Sequence, residues 1–198
     1  MNSKLIRFFN AVKPILIALV IVVILRLTGA FSTISYFTNA ALMKTGIMNA
    51  TPGNESDPVE PFDYNFKIKT LSGEVIDFNQ YKGKVVFINL WATWCAPCRV
   101  EMPSIQELYK GIDKEKIQFV VLSLDSDGDL PKIVKFVDKN SFTFPVFQPK
   151  GYLPDLLQVP SIPTTFIIDK NGNIVSKKVG TTNFNTSKFK KYLEELAK

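Results

Sequence analysis

The most constraining feature of the sequence is a run of eight residues, Lys84–Trp91 (KVVFINLW), in which almost every side chain is apolar. A strand with one face in water alternates apolar and polar residues, whereas a strand covered on both faces is apolar nearly throughout. A second run of this kind, Lys116–Leu124 (KIQFVVLSL), follows further along the chain. Two such strands predict a central sheet that is covered by helices on both faces.

The segments around these strands alternate between strand and helix patterns. Turn residues at Ser72-Gly73 and at Lys170–Asn173 separate short apolar segments and predict two antiparallel hairpins. We therefore predict an α/β fold with a mixed central sheet and flanking helices. The predicted hairpin strands are Phe66–Thr70, Val75–Phe78, Thr164–Asp169 and Ile174–Val179. The predicted helices are Cys95 or Ala96 to Lys110, Leu130–Asn140 and Thr186–Leu196, the last capped by Asn185.

The N-terminal segment has the pattern of a membrane anchor. Ile15–Leu25 is an unbroken run of eleven apolar residues, preceded by the basic residues Lys4, Arg7 and Lys13. We interpret it as one uncleaved transmembrane helix, with a cleaved signal peptide ending near Thr28-Gly29-Ala30 as the alternative. The positive-inside rule then places the N-terminus in the cytoplasm and the rest of the chain outside it.

The chain divides into three parts. Residues 1–48 form the anchor and a membrane-proximal segment, residues 49–61 form a linker rich in Pro, Gly and acids, and residues 62–198 form one domain. The net charge of +6 belongs to the N-terminal part, because residues 1–54 carry five basic and no acidic residues. Residues 55–198 hold 19 basic against 18 acidic residues. The domain therefore has no basic excess, and we expect no nucleic-acid partner.

The composition excludes several classes of enzyme. The chain contains no histidine, so it cannot form a Ser-His-Asp triad, a Cys-His dyad or a histidine metal site. Its two cysteines, Cys95 and Cys98, are too few for a disulfide-stapled secreted scaffold. They are also too few for a zinc site, which needs four ligands, so we expect no metal and no cofactor.

The two cysteines form a Cys-Ala-Pro-Cys motif between a buried strand and a helix. A thiol at a helix N-terminus faces unpaired N–H groups, which stabilise its thiolate. We therefore predict that Cys95 is the nucleophile and that Cys98, one turn further on, resolves the mixed disulfide. Pro97 fits the first helical turn, where its missing N–H is not needed. The alternative is an inert structural disulfide, which would stabilise little because it closes so short a loop.

Two segments of the domain resemble the thioredoxin superfamily. They are NLWATWCAPCRVEMPSIQ at Asn89–Gln106 and VPSIPTTFIIDKNG at Val159–Gly172. Within the superfamily, the sequence is similar to TlpA/ResA-like membrane-anchored thiol–disulfide reductases of bacterial envelopes. The resemblance implies a thioredoxin-like fold with an added N-terminal β-hairpin. It also implies that Pro163 is a cis proline facing the cysteines, with the Ile162 backbone available to a substrate strand. Trp94 is expected to shape the surface of the site.

The resemblance also implies a function and partners. The protein would sit in the bacterial inner membrane with its domain in the periplasm or an equivalent extracytoplasmic space, and reduce disulfides of envelope proteins such as apocytochrome c. A membrane electron donor of the CcdA/DsbD type would recharge the pair. A disulfide-forming oxidase and a redox-inert binding module remain alternatives. A peroxidase is disfavoured, because Ile88 and Ala92 occupy the positions where it would carry proline and threonine.

One acidic residue is predicted to support the cysteines. Many thioredoxins carry a buried aspartate six residues before the first cysteine, whereas this chain has Asn89, which does not titrate. Glu101 lies three residues after Cys98, on the same side of a helix, and the TlpA/ResA-like branch resembles this chain in having an acid there. We hypothesise that Glu101 tunes the pKa of the thiols and carries protons. Further on, Asp125, Asp127 and Asp129 (DSDGD) lack the pattern of a calcium loop and predict a polar turn.

Overall fold

The computed structural model describes residues 3–27, 30–53 and 60–198. These residues form five α-helices and eight β-strands, with short 3-10 turns between some of them. The helices are α1 (Ser3–Leu27), α2 (Ala30–Lys44), α3 (Ala96–Lys110), α4 (Leu130–Lys139) and α5 (Ser187–Leu196). The strands are β1 (Glu60–Pro61), β2 (Lys67–Thr70), β3 (Val75–Asp77), β4 (Val85–Trp91), β5 (Ile117–Ser123), β6 (Val146–Pro149), β7 (Thr164–Ile168) and β8 (Asn173–Val179).

The strands of the described residues form one sheet in the order β1-β8-β7-β4-β5-β6-β2-β3. Strand β4 pairs in parallel with β5 and antiparallel with β7, and β5 pairs in parallel with β6, while the other pairings are antiparallel. The predicted mixed sheet and both hairpins are confirmed. The short strands β1 and β6 were not predicted, since neither has a long apolar run.

Strand β4 lies at the centre of the fold. All seven of its residues are buried, as its sequence predicts. Alternate side chains enter two different cores: Phe87 and Trp91 pack on the side of α3, whereas Ile88 and Leu90 pack on the side of the β2–β3 hairpin. Burying each such side chain stabilises the fold by about 1.5–3 kcal/mol, so β4 is the rigid support on which the loop after it is built.

The C-terminal helix is capped by a different residue from the one predicted. The Thr186 backbone is extended, and its Oγ1 accepts a hydrogen bond from the N–H of Phe189 at 3.2 Å. Asn185 is therefore not the cap, because a cap side chain must reach the N–H two or three residues further on. The Asn185 N–H instead bonds Asn183 Oδ1.

The segment after α2 packs against the domain. The Ala50 N–H donates to the Asn183 carbonyl at 2.8 Å, the Asn183 N–H donates to the Met48 carbonyl at 2.7 Å, and Ala50 is buried. Residues 48–50 thus share the hydrogen bonds and core of the domain. The division at 48 and 61 stays a prediction, and residues 54–59 of the predicted linker lie outside the described residues.

The N-terminal helices α1 and α2 precede this segment. Within the described parts of the chain, no helix has the length and apolar character needed to cross a membrane, and the predicted transmembrane helix is not confirmed. Residues 28 and 29 of the alternative cleavage site lie outside the described ranges.

Candidate active site

Cys95 lies in the loop between β4 and α3, and Cys98 lies in the first turn of α3. Cys95 is the N-cap of α3, with an extended backbone at φ −80° and ψ 101°, and the Cys98 N–H donates to Cys95 Sγ at 3.2 Å. The two sulfurs form a disulfide, with the Cα atoms 5.3 Å apart. Pro97 lies in the first helical turn, where its missing N–H costs no hydrogen bond. The sequence places this pair at a helix N-terminus, and the structure confirms it.

The two sulfurs differ in their access to solvent. Cys95 is 5% exposed, whereas Cys98 is 0% exposed. A partner disulfide can therefore reach Cys95 first. The hydrogen bond from the Cys98 N–H and the positive end of α3 both favour a thiolate at Cys95. This geometry supports the assignment of Cys95 as the attacking sulfur and Cys98 as the resolving one.

The loop before β7 lies against Cys95. The Ile162–Pro163 peptide bond is cis, as the resemblance implies, and the Ile162 carbonyl oxygen is 3.7 Å from Cys95 Sγ. Trp94 is 68% exposed beside this loop. A cavity of about 370 Å³ lies between Trp94 and the loop, and its lining is mostly apolar, formed by Trp94, Leu124, Val159, Pro160, Ser161 and Ile162. An extended peptide lying along Ile162 would pass next to Cys95 Sγ.

Glu101 lies one helical turn beyond Cys98 and is completely buried. Its Oε1 accepts a hydrogen bond from Asn89 Nδ2 at 2.7 Å, and its Oε2 accepts one from the Thr182 N–H at 3.1 Å. Burial raises the pKa of Glu101 from its ordinary value of 4.5 to about 8, although these two hydrogen bonds oppose the rise. Glu101 can therefore gain or lose a proton near neutral pH. Among the described residues, its side-chain hydrogen bonds go to Asn89 and Thr182 and not to either sulfur.

Asn89 does not titrate, but its side chain makes two hydrogen bonds that organise the site. It is completely buried on β4, and its Nδ2 donates both to Glu101 and to Thr165 Oγ1, at 2.9 Å for the latter. Its Oδ1 has no partner among the described residues. Asn89 thus holds the carboxylate of Glu101 in place. The alternation of side chains along β4 could have predicted this position. Asn89 lies on the same face of the strand as Phe87 and Trp91, which is the face that packs against α3.

Asp125 is a residue of the site that the sequence analysis missed. The ends of the parallel strands β4 and β5 meet at one edge of the sheet, where Trp91 is paired with Ser123. Asp125 follows β5 and is 6% exposed. Its carboxylate accepts hydrogen bonds from the Thr93 N–H at 2.8 Å, Thr93 Oγ1 at 2.7 Å and Ser123 Oγ at 2.7 Å. It therefore fixes the loop that leads into Cys95.

The rest of the DSDGD segment is a polar turn, as predicted. Asp127–Asp129 forms a short 3-10 turn that leads into α4, and Asp127 pairs with Lys69 on the surface. Within the described ranges, no group of three or more Cys, Asp or Glu side chains is placed to hold a metal ion.

Replacing Asp125 with asparagine is expected to loosen the loop before Cys95. An amide has a single acceptor oxygen and would turn its NH₂ towards a donor, so at least one buried hydrogen bond is lost. We expect the free energy of unfolding to fall by about 1–3 kcal/mol and the alkylation rate of Cys95 in the reduced protein to change. Urea unfolding and timed alkylation measure the two effects.

Asp127→Asn is the matched control, since it makes the same change in an exposed carboxylate of the same turn. We expect it to leave both quantities nearly unchanged, because exposed ion pairs contribute little. Equal effects of the two variants would refute the anchoring role of Asp125.

Several known proteins are similar to this region in sequence and in fold. Thiol-disulfide oxidoreductase ResA of Bacillus cereus is 38% identical over 117 residues, which cover 59% of this chain and 66% of that protein. The match thus spans just under two thirds of the length of that relative. ResA of Oceanobacillus iheyensis is 34% identical over 148 residues, covering 72% of this chain and 76% of that protein. The crystal structure of StoA from Bacillus subtilis superposes with a TM-score of 0.53 at 28% identity, covering 67% of this chain and 96% of that one.

The family match covers the same part of the chain. Residues 63–177 match the AhpC/TSA family, and this range contains strands β2 to β7, the cysteine pair and the cis-proline loop. The range is more than half of the chain, and its fold is the thioredoxin-like α/β fold. The chain therefore belongs to the AhpC/TSA family, as a thioredoxin-like protein of the group whose ResA members are named thiol–disulfide oxidoreductases.

Proposed function

We propose that this protein is a thiol–disulfide oxidoreductase that reduces disulfide bonds in other proteins. The observation that carries the proposal is the placement of Cys95: its sulfur caps α3, lies 3.7 Å from the cis-proline loop and has Cys98 directly behind it. A sulfur in this position can accept a partner's sulfur from outside and be released by the second cysteine from inside. The names of the ResA relatives support the same reaction class.

The reaction begins with the reduced pair. The Cys95 thiolate attacks one sulfur of a substrate disulfide, so that a Cys95–substrate bond forms and the second substrate sulfur leaves as a thiolate and takes up a proton. Cys98 then loses its proton and attacks Cys95 Sγ. The Cys95–Cys98 disulfide forms, and the first substrate sulfur leaves as a thiolate that also takes up a proton. The substrate has gained two electrons and two protons, and the pair has lost them.

Glu101 and the cis-proline loop serve this reaction as supporting groups. Cys98 must lose a proton in a buried place, and Glu101 is a buried carboxylate one turn away with a pKa of about 8. Its charge and its proton therefore influence when Cys98 becomes a thiolate. Ile162 and Pro163 present backbone next to Cys95, where a substrate strand would align its disulfide.

A comparison of two turnover rates tests the direction of the reaction. In one assay the protein reduces a disulfide peptide with dithiothreitol as the electron source, and in the other it oxidises the dithiol peptide with glutathione disulfide. A reductase is expected to accelerate the first reaction more than the second. The reverse order would favour the disulfide-forming oxidase, and no acceleration in either assay would favour the inert binding module.

The location and the partners belong to the same proposal. Ile15–Leu25 is apolar and is preceded by basic residues. The large apolar side chains between residues 15 and 24 are 51–60% exposed. These features support a single anchor in the bacterial inner membrane, with the domain outside the cytoplasm. Because the glutathione pool of the cytoplasm is absent there, a membrane electron donor of the CcdA/DsbD type would reduce the cysteine pair again after each turnover. Proteins such as apocytochrome c would be the substrates.

Cell fractionation tests the location. We expect the full chain to stay in the membrane pellet after an alkaline wash, to be digested by protease added outside spheroplasts, and to keep its intact mass. A chain shortened near residue 30 would favour the cleaved signal peptide, and a chain released by the wash would contradict the anchor.

A further inference from the structure

A second cavity lies between α2, α3 and α4, and none of its lining residues belongs to the cis-proline loop. Helix α2 packs on α3, with the Tyr36 ring 5.9 Å from the guanidinium carbon of Arg99. The cavity has a volume of about 390 Å³. Its walls are formed mainly by aromatic and basic side chains, namely Tyr36, Phe37, Arg99, Phe136 and Lys139. It shares no lining residue with the cavity beside Trp94, and neither cysteine lines it.

Both charged residues that line this cavity are basic. Arg99 on α3 and Lys139 at the end of α4 both line it, and no Asp or Glu is among its lining residues. None of the ion pairs within the described part of the chain includes either cation. Arg99 Nε is buried and has no hydrogen-bond partner among the described residues. A buried donor without a partner costs free energy, so this atom does not tie Arg99 to another group of the described chain.

We propose that this cavity binds a phosphate group, held by Arg99 and Lys139. Arginine and lysine together are a common phosphate-binding pair, because the charge-assisted hydrogen bonds are strong and the guanidinium can donate two of them. The volume exceeds that of phosphate alone, so the cavity also accommodates the carbon atoms of a phosphate ester. Phe37 and Phe136 give those atoms an apolar wall.

The arrangement of α2 favours a lipid headgroup over free phosphate. Ile34 and Phe37 on α2 are 52% and 66% exposed, and α2 follows the apolar helix α1. An anionic phospholipid could place its phosphate between Arg99 and Lys139 and its acyl chains along the exposed apolar side chains of α2. Arg99 lies on α3 directly after Cys98, and Tyr36 and Phe37 lie on α2. A headgroup bound in the cavity would therefore contact both helices and hold α2 against α3. This site goes beyond the proposed disulfide exchange and does not depend on it.

Calorimetric titration of the full chain in uncharged detergent micelles tests the proposal. One arm uses short-chain phosphatidylglycerol and the other uses inorganic phosphate, each against chloride at equal ionic strength. We expect saturable binding in at least one arm, weakened about tenfold or more by Arg99→Gln and by Lys139→Gln. Lys135→Gln is the matched control on α4, since Lys135 does not line the cavity, and it should bind like the unchanged protein.

The two variants separate ligand binding from the packing of α2. Arg99→Gln also removes the contact with Tyr36, whereas Lys139→Gln leaves it intact. Weaker binding in both variants supports the site, and the arm that shows it identifies the source of the phosphate. Absence of saturable binding in both arms, or weaker binding in Arg99→Gln alone, would overturn the proposal.

Discussion

Cys98→Ser is expected to turn the protein into a trap for its substrates. Cys95 can still attack a substrate disulfide, because the helix N-terminus that stabilises its thiolate is unchanged. The mixed disulfide then has no internal thiol to release it, so it accumulates. We expect turnover to fall by at least about a thousandfold, while a band at the summed mass of protein and substrate appears on a non-reducing gel.

Cys95→Ser is the control for this experiment. It removes the attacking sulfur and leaves Cys98, which is completely buried. We expect it to lose turnover to the same degree and to form no mixed disulfide. If Cys95→Ser trapped substrate and Cys98→Ser did not, the two roles would be reversed.

Glu101→Gln is expected to remove a large pH dependence of stability. The folded protein holds the proton of Glu101 up to a pKa of about 8, whereas the unfolded chain releases it near 4.5. Between these values the folded state binds more protons at Glu101, so the contribution of Glu101 to stability is fully present below about pH 4.5 and is lost as the pH rises to about 8. The slope approaches about 1.4 kcal/mol per pH unit, and the total loss is on the order of 3–5 kcal/mol.

Urea unfolding at intervals between pH 5 and pH 9 measures this effect. Glu101→Gln should show a nearly flat profile in that window and should exceed the unchanged protein in stability at the alkaline end. Glu107→Gln, an exposed position on the same helix, is the matched control and should keep the slope. The aspartates whose pKa values hydrogen bonds lower, such as Asp77, titrate below this window. A slope that survived in Glu101→Gln would show that another group carries it.

The same variant tests the role of Glu101 in the exchange reaction. If Glu101 shares the proton of Cys98, the pH profile of the release step should shift in Glu101→Gln, with the attack by Cys95 less affected. Single-turnover kinetics separate these two steps. Unchanged thiol pKa values and unchanged rates would leave Glu101 as a structural group.

The parts of the fold that the sequence predicted well are those that local patterns determine. Strand β4 has a continuous apolar run, the hairpin turn before β8 has Asn and Gly, and α3 has a cysteine as its N-cap and Pro97 in its first turn. Each of these signals lies within a few residues of the element it specifies. The cis peptide at Pro163 was different, because residues alone indicate a turn proline, and it was predicted from the family resemblance.

The contacts that the sequence did not predict join distant segments. Asp125 accepts hydrogen bonds from Thr93, which is 32 residues away in the sequence, and no local pattern near either residue predicts this contact. The hydrogen bonds between Met48, Ala50 and Asn183 likewise join segments that are far apart in the sequence. Asn89 and Glu101 were both noticed in the sequence, but their hydrogen bond depends on how α3 packs over β4. Local patterns fix the elements, whereas these contacts depend on the assembled sheet.

The reduction potential of the Cys95–Cys98 pair tests the proposed reductase most directly. Equilibration of the full chain with defined ratios of reduced and oxidised dithiothreitol or glutathione gives the value. If the protein is a reductase, we expect the pair to have a reduction potential near that of thioredoxin, about −270 mV. A potential close to −120 mV, typical of a strong oxidant, would contradict the account.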